Sequence, residues 1–345
     1  MRRTPAALTV LSACAILAFS STALASTTTT TTTTSSSTST TTPTSTTTLK
    51  NVPVAPLTGL PDPTGITKGR SALTIKIDNT PQAHPQYGVQ DADVVYEEIV
   101  EGGITRLAAI FNSHVPSEVG PVRSVRRTDR EIVFPLGGIF AFSGGAEYAV
   151  RSIETAPVKL YNEANAGSAM FRDPDRPAPH NLFANAILLM DKHGKPRPPP
   201  PLFTYSASAK PGVGAPVKSF VVGFASGFAA TYDWDARTAS WDRTIFGAPD
   251  VSATGVRISP KNVIVMSVSY VGGVGVIDSY AELIGSGPVE VFTRGTVQRG
   301  TWSRPDLRQP AVYRNRSGKV IDLAPGQTWV ELLDVSESVS ITPGR

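Results

Sequence analysis

The sequence predicts an α+β protein, with a mixed α/β layered domain followed by a β-rich domain. Charged residues make up only 17% of the 345 residues, which argues against a coiled coil or a helical bundle. Glycine and proline number 29 each, and both favour turns over long helices. Short runs of alternating apolar side chains, typical of strands, occur in both halves of the chain.

The first 25 residues have the pattern of a secretory signal peptide. Met1-Arg2-Arg3 is basic, residues 6–25 are apolar, and Ala23-Leu24-Ala25 has small residues at the two positions that a signal peptidase reads. Two alternatives stay open. Leu11-Ser12-Ala13-Cys14 has the form of a lipobox, whose cysteine is lipidated, and an uncleaved segment of this length can anchor the chain. All three place the following residues outside the cytoplasm, as a secreted protein or one tethered to the outer face of the cytoplasmic membrane.

Residues 26–50 form a low-complexity segment, because every residue from Ser26 to Thr48 except Pro43 is serine or threonine. Such a segment cannot bury apolar surface, so we expect it to be disordered and solvated. It is typical of a tether that holds a folded body away from a membrane. A spacer left after signal cleavage would have the same composition.

A run of prolines at 196–201 divides the rest of the chain, because proline fits neither a helix interior nor a central strand. We therefore expect a first domain at 51–195, a linker at 196–216 and a second domain at 217–345. Each domain is long enough to bury a core of its own.

The first domain is predicted to alternate strands with helices. Apolar periodicity predicts strands at 72–77, 94–100, 104–111 and 139–142, of which the second and third form a hairpin. Helices are predicted at 124–133, from Ser143 to about Glu154, and at 182–193, where Gly194 would end the last helix.

The second domain is predicted to be nearly all strand. The strands are expected at 229–234, 238–244, 263–268, 289–292, 311–313 and 329–333. Asp235-Ala236-Arg237 is the predicted turn of the first hairpin, and glycine, proline, asparagine and serine between the other strands are typical of turns.

Motifs in both domains resemble those of the YerB-like family of bacterial envelope proteins. They are Pro56-Leu57-Thr58-Gly59-Leu60, Ile77-Asp78-Asn79, His84-Pro85-Gln86, VYEEIVEGGITRLAAIF, VGPVRSVR, PAPHNLF around His180-Asn181, NVIV at 262–265, Gly300-Thr301-Trp302 and Gly326-Gln327-Thr328-Trp329. The resemblance implies an α/β domain, a β-rich domain and a lipoprotein signal, which favours lipidation of Cys14. The apolar residues that continue beyond Cys14 depart from that pattern. The family is largely of unknown function, so the resemblance implies no catalytic residue.

Composition excludes several classes of partner and site. Without Arg2 and Arg3, which lie in the signal segment, 30 basic residues face 28 acidic ones, which gives no overall field for nucleic acid or an anionic membrane. We expect membrane contact only through the N-terminal segment. The one cysteine, Cys14, lies in that segment too, so the folded domains contain no disulfide, zinc–thiolate site or cysteine nucleophile. No motif predicts a cofactor.

Four arginines are the clearest candidates for ligand binding. They recur at intervals of three and four residues and are predicted to share one face of the first helix: Arg123, Arg126, Arg127 and Arg130. Arg126 and Arg130 should repel each other unless an anion lies across them, and a guanidinium suits a carboxylate or a phosphate. The alternative is neutralisation by Glu97, Glu98 or Glu101 of the preceding hairpin.

Ser143-Gly144-Gly145 follows a buried strand and opens a helix, a geometry that points backbone N–H groups at an anion. A tight turn would have the same composition, since the motif lacks the lysine of a P-loop and the full spacing of a dinucleotide-binding loop. Other polar candidates for ligand binding are Arg106, Asn79 and Asn181. Asn181 could instead cap the start of the helix predicted at 182–193.

Three residues are candidates for catalysis, and whether the chain is an enzyme stays open. His180, in a loop stiffened by prolines, is the best general base. Glu97 and Asp78, together with Glu101, could serve as the carboxylates of a glycosidase-like site, but on a regular strand Glu97 and Glu101 would be about 13 Å apart, more than such a pair usually is. A metal at Asp173, Asp175 and His180 lacks convincing ligand spacing, so we predict no metal site.

These observations predict an extracytoplasmic cell-envelope protein with a non-catalytic binding or scaffold role at the cell wall. Its partner would be a cell-wall component or another envelope protein. One alternative is a hydrolase that acts on envelope glycan or peptide, and another is a structural stalk or adhesin. Ligand chemistry would be favoured by the convergence on one open pocket of His180, Arg123, Arg126 and Glu97. A scaffold would be favoured if those arginines were buried against Glu97 and Glu101.

Overall fold

Strands dominate the structure, a computed structural model that describes residues 52–192, 196–207 and 213–345. Of the described residues, 40% are in strands and 14% in α- and 3-10 helices. The predicted signal peptide with Cys14, the predicted tether and Gly194 lie outside the described residues. In the described part, no helix is long and apolar enough to span a membrane.

Within the described residues, the first part of the chain contains seven strands and three short helices. In chain order they are β1 Leu73–Asp78, β2 Val94–Ile99, β3 Thr105–Phe111, α1 Arg127–Val133, β4 Gly138–Ala141, α2 Glu147–Glu154, β5 Val158–Tyr161, β6 Met170–Arg172, β7 Leu182–Ala184 and α3 Ala186–Asp191. The second part contains twelve described strands. They are β8 Ala215–Gly223, β9 Ala229–Asp235, β10 Ser240–Ile245, β11 Ala248–Pro249, β12 Asn262–Val268, β13 Tyr270–Val271, β14 Tyr280–Ala281, β15 Gly285–Thr293, β16 Thr296–Arg304, β17 Val312–Asn315, β18 Thr328–Asp334 and β19 Val339–Pro343.

The helix predicted at 124–133 is shorter than expected. α1 begins at Arg127, because the preceding residues are extended and donate their amides to neighbouring segments. The Arg123 amide donates to the Lys76 carbonyl (2.8 Å), and the Val125 amide donates to the Gly144 carbonyl (2.9 Å). Backbone groups that bond in this way are not free to form a helix.

The helix predicted at 182–193 was also wrong over its first turn. Residues 182–184 form β7, which pairs with β6. The helix proper, α3, follows Asn185, whose side chain accepts a hydrogen bond from the Leu188 amide (3.0 Å). Asn185 is therefore the N-cap, and Asn181 lies before a strand and caps no helix.

One sheet runs through both parts of the chain, whose described residues belong to one compact unit. β18 lies between β12 and β2 and is parallel to both. On one side β3 and β1 follow β2, and β4 and β5 extend the sheet parallel to β1. On the other side the order is β12, β15, β16, β8, β9, β10, β11. The β-rich second part is confirmed, whereas the first part is α/β only in that three short helices accompany its strands.

Aromatic side chains fill the core of the second part. The rings of Phe220 and Phe292 stack with centroids 3.6 Å apart, and Trp241 packs edge-on against both. Burying a side chain of this size contributes roughly 1.5–3 kcal/mol. The packing holds β8 and β10 against β15, and so fixes where the inward side chains of β10 lie.

Candidate functional site

The candidate residues gather where β1 and β4 end. These strands are parallel neighbours, so their carboxyl ends lie at one edge of the sheet, where open α/β sheets commonly bind ligands. Asp78 is the last residue of β1, and Ser143 follows shortly after β4. The extended residues 123–125 join the two ends, since the Ser143 amide donates to the Arg123 carbonyl (2.9 Å).

Asp78 holds two of the candidate residues. Its carboxylate lies 2.7 Å from His180 Nδ1 and 2.9 Å from Arg123 Nε. Asp78 is buried, whereas the His180 and Arg123 side chains are 15% and 21% exposed. Burial alone would raise the pKa of Asp78, but the Arg123 charge and hydrogen bonds with His180 and Thr80 outweigh it and lower the pKa. Asp78 is therefore ionised at neutral pH and fixes both side chains at the sheet edge.

Arg106 and Arg126 meet at the Ser124 carbonyl beside Asp78. β3 places Arg106 directly opposite Asp78. Arg106 Nη1 and Arg126 Nη1 both donate to Ser124 O, at 3.1 Å and 3.3 Å. The Glu101 carboxylate accepts from Arg126 Nε (2.8 Å) and Nη2, and lies 3.5 Å from Arg106 Nη2. We call Arg106, Arg123 and Arg126 the arginine site; it brings three guanidinium groups together with two carboxylates.

Arg106 is the most deeply buried of the three arginines and has a donor without an acceptor among the described residues. Only 6% of the residue is exposed, and its Nε atom makes no hydrogen bond within the described part of the chain. Burial, followed by the charge of Arg126, lowers the pKa of Arg106 to about 10. The guanidinium therefore stays charged at neutral pH, and the arginine site contains a buried cation with an unused donor.

The loop after β4 adds polar groups to the arginine site. Ser143 Oγ lies 3.5 Å from Ser124 Oγ. Gly144 has a φ of +139°, which other residues rarely adopt, and nothing lies within 4 Å of the position that a Cβ would take. The helix predicted to open at Ser143 begins later, at Glu147, and the first amides of a helix lack helical partners.

Glu97 lies on the other face of the sheet from Arg106, because the register places Arg106 opposite the next residue of β2. The fully buried Glu97 carboxylate accepts hydrogen bonds from Asn79 Nδ2 (3.0 Å) and Thr105 Oγ1 (2.6 Å). It also accepts from Arg243 Nη2 (2.7 Å) of the second part. Glu97 therefore does not join His180 in a cleft.

Arg243, on β10, was not singled out by the sequence analysis. Its Nη1 atom donates to Asp250, and its Nε donates to the Tyr232 hydroxyl (3.1 Å), which in turn donates to Glu331. Burial, and next the charge of Glu97, raises the pKa of Glu331 well above its usual value. We call this group the closed cluster; its members are Glu97, Tyr232, Arg243, Asp250 and Glu331.

Asn79 connects the closed cluster with the end of β1. Its Oδ1 atom lies 3.1 Å from His84 Nε2 and accepts from Gln86 Nε2 (3.2 Å). Gln86 Nε2 also donates to the carbonyl of Asp78 (2.6 Å). The candidate residue Asn79 is thus a structural link, and His84 and Gln86 are further polar residues that the sequence analysis did not assign.

Arg130 and Asn181 lie away from the arginine site. Arg130 Nε donates to Thr155 Oγ1 (2.6 Å), and Asn181 Oδ1 accepts from Arg172 Nη1 (2.8 Å). The prediction of one helical face of arginines is wrong, because Arg123 and Arg126 precede α1.

The geometry suits the binding of an anion. Among the residues that the structure describes, no group of His, Cys, Asp and Glu side chains could hold a metal ion. Guanidinium groups are strong donors to carboxylate and phosphate oxygens. His180 Nδ1 faces Asp78, which leaves its Nε2 atom to contact a ligand or to exchange a proton.

Both parts of the chain match models of one protein family. Residues 57–195 match the N-terminal domain and residues 220–330 the C-terminal domain of a family described as a protein of unknown function, DUF3048. The chain belongs to the DUF3048 family. It is 27% identical over 307 residues to "Putative lipoprotein YerB" of Bacillus subtilis (strain 168), an alignment of 84% of this chain and 89% of that protein.

The crystal structure of YerB from Bacillus subtilis has the same fold. It is 25% identical to this chain with a TM-score of 0.73, and the match covers 84% of this chain and 99% of that one. The YerB-like resemblance inferred from the motifs is confirmed. In this DUF3048 protein the arginine site lies within the N-terminal match, and the closed cluster joins Glu97 of that match to Arg243 and Asp250 of the C-terminal match.

Proposed function

We propose that this DUF3048 protein is tethered outside the cytoplasm and binds an anionic group of a cell-wall component or envelope protein at the arginine site, without catalysis. The name of its relative, "Putative lipoprotein YerB", supports a membrane tether. The signal-like N-terminal segment with Cys14 and the serine/threonine segment that follows it support the same location.

The observation that carries the binding role is the incomplete environment of Arg106. A buried charge is costly unless it is paired and fully hydrogen-bonded. Arg106 is buried with a free Nε donor, and the arginine site as a whole contains one guanidinium more than its two carboxylates can neutralise. An anion from outside would supply both the missing charge and the missing acceptors.

Isolated cell-wall sacculi and an extract of envelope proteins test this role. The purified protein should be retained by one of them, and Arg123→Gln should weaken retention at least about tenfold, because hydrogen bonds to charged groups contribute roughly 1.5–3 kcal/mol. Arg299→Gln is the matched control, since Arg299 is exposed and pairs with Glu290 in the second part. Retention that survives Arg123→Gln, or is lost equally in Arg299→Gln, contradicts the proposal.

A hydrolase that acts on envelope glycan or peptide is the second candidate, and the Asp78–His180 pair favours it. A carboxylate on Nδ1 orients an imidazole as a general base at Nε2. Within the described residues, however, no hydroxyl is hydrogen-bonded to that Nε2 atom as a nucleophile would be. Mass spectrometry of the supernatant above the sacculi decides: fragments that vanish with His180→Ala would establish hydrolysis in place of binding alone.

A further inference from the structure

We propose that the ligand of the arginine site is a phosphate monoester, and that Glu101 occupies the place of this group until it binds. The inference rests on the anion-binding role proposed above and names the class of anion.

Glu101 has the contacts of a built-in counter-ion. It lies in a turn, Glu101–Gly103, after β2, and its carboxylate bonds Arg126 through Nε and Nη2 and approaches Arg106. In contrast to Asp78, which is buried, the Glu101 side chain is 43% exposed. Because the Glu101 carboxylate reaches solvent, water can take over its hydrogen bonds when the pair with Arg126 opens. The Glu101 carboxylate can therefore swing into water, while Asp78 stays in place.

The charge left behind selects the incoming group. With Glu101 withdrawn, the arginine site keeps three guanidinium groups and one carboxylate, Asp78, because the nearby Glu98 and Asp129 are paired with Lys76. Two guanidinium charges are then left without a carboxylate. A phosphate monoester carries about −1.5 to −2 at neutral pH. A ligand with a carboxylate would replace Glu101 by a group of the same charge and geometry. Its binding would therefore gain no free energy over the contacts that Glu101 already makes.

The unused donors also match more oxygen atoms than a carboxylate has. Arg106 Nε has no partner among the described residues, and Arg123 makes only its Nε contact with Asp78 there. The amides of Gly145 and Ala146, before α2, donate no hydrogen bond in the described part. Amides at the start of a helix and guanidinium groups are the usual partners of phosphate oxygens. The three terminal oxygens of a monoester can use them together.

Calorimetric titration of the purified protein with inorganic phosphate, glycerol 3-phosphate, dimethyl phosphate and acetate tests the inference. The two dianions should bind at least about tenfold more tightly than the two monoanions, and added salt should weaken them. Glu101→Gln should tighten phosphate binding about fivefold, because it removes an exposed competing ion pair. Glu290→Gln removes a carboxylate from the ion pair with Arg299 and should change nothing.

Acetate that binds as well as phosphate, or a Glu101→Gln variant with unchanged phosphate affinity, would overturn the inference.

Vesicles of phosphatidylcholine with and without phosphatidic acid then separate a lipid-borne monoester from a soluble one. The broader proposal fails differently. If Arg123→Gln abolishes retention by envelope material that phosphate cannot displace, anion binding stands and the phosphate class is wrong; if Arg123→Gln has no effect on retention, anion binding itself is wrong.

Discussion

Two ionic groups lie on opposite faces of the sheet, and they are built differently. The closed cluster on one face contains one arginine, Arg243, and three carboxyl groups, all of them buried. The arginine site on the other face contains three arginines and two carboxylates, and reaches the surface through Arg123 and Glu101. One group has a surplus of acid, and the other has a surplus of cation.

The difference matters because the two surpluses are relieved in different ways. A surplus carboxyl group can take up a proton, and burial raises the pKa of Glu331 in the closed cluster well above its usual value. Burial likewise raises the pKa of Asp129, in the buried Lys76–Glu98–Asp129 group, to about 6. An arginine cannot lose its proton at neutral pH, even when burial lowers the pKa of Arg106 to about 10. A surplus of arginine therefore calls for an anion from outside the chain.

The largest expected effect comes from Arg243→Met. The substitution leaves the Glu97 and Asp250 carboxylates buried without their cation, so the free energy of unfolding should fall by about 3–5 kcal/mol. Urea unfolding measures this. The exposed pair of Arg299 supplies the control, since Arg299→Met should cost only about 0–1 kcal/mol. Equal losses in the two variants would show that the closed cluster does not stabilise the fold.

An arginine-to-methionine substitution in the arginine site, Arg106→Met, should reduce the free energy of unfolding much less. Arg106→Met removes the hydrogen bond to Ser124 O and the contact with Glu101. It also removes a buried charge that has an unused donor and lies near the charges of Arg123 and Arg126. We expect the free energy of unfolding to change by less than about 1 kcal/mol, while retention by envelope material is lost. A loss of stability as large as that of Arg243→Met would mean that both groups are structural.

The fold could be predicted from the sequence where one signal dominates. Apolar alternation located β1, β2, β3 and β12 within about two residues, because each has one period and clear turns. It missed β16, whose sequence is polar and contains a glycine, although β16 pairs with the adjacent β15. It also missed β19, which pairs with β8, a strand far earlier in the chain. The insertion of β18 beside β2 is a tertiary pairing that periodicity does not encode.

The arginine site was predicted in composition but not in geometry. Intervals of three and four residues suggested a helical face, whereas Arg123 and Arg126 are held by an extended segment whose amides bond the strand ends. Arg106 was a predicted ligand-binding residue, but its burial could not be predicted, because burial depends on the neighbouring strands of the sheet. Arg243 carried a usable signal, because Trp241 and Ile245 flank it at inward positions of β10, and a charge in such a row implies a buried partner.

The smallest expected effect is that of His84, beside the closed cluster, on how the free energy of unfolding changes with pH. His84 lies 3.7 Å from Asp250, yet burial lowers the pKa of His84 more than the Asp250 charge raises it. A histidine whose pKa is lowered in the folded state stabilises the fold above its ordinary value of 6.5, and this contribution is lost as the pH falls below that value. The raised pKa of Glu331 acts in the opposite direction, because proton uptake by a carboxyl of this kind stabilises the folded state as the pH falls. We therefore compare the drop in the free energy of unfolding when the pH is lowered from 7.5 to 5.5. This drop should be smaller in His84→Gln than in the unaltered protein, by up to about 1 kcal/mol. A His84→Gln variant that loses as much as the unaltered protein would mean that His84 plays no part in the proton balance of the closed cluster.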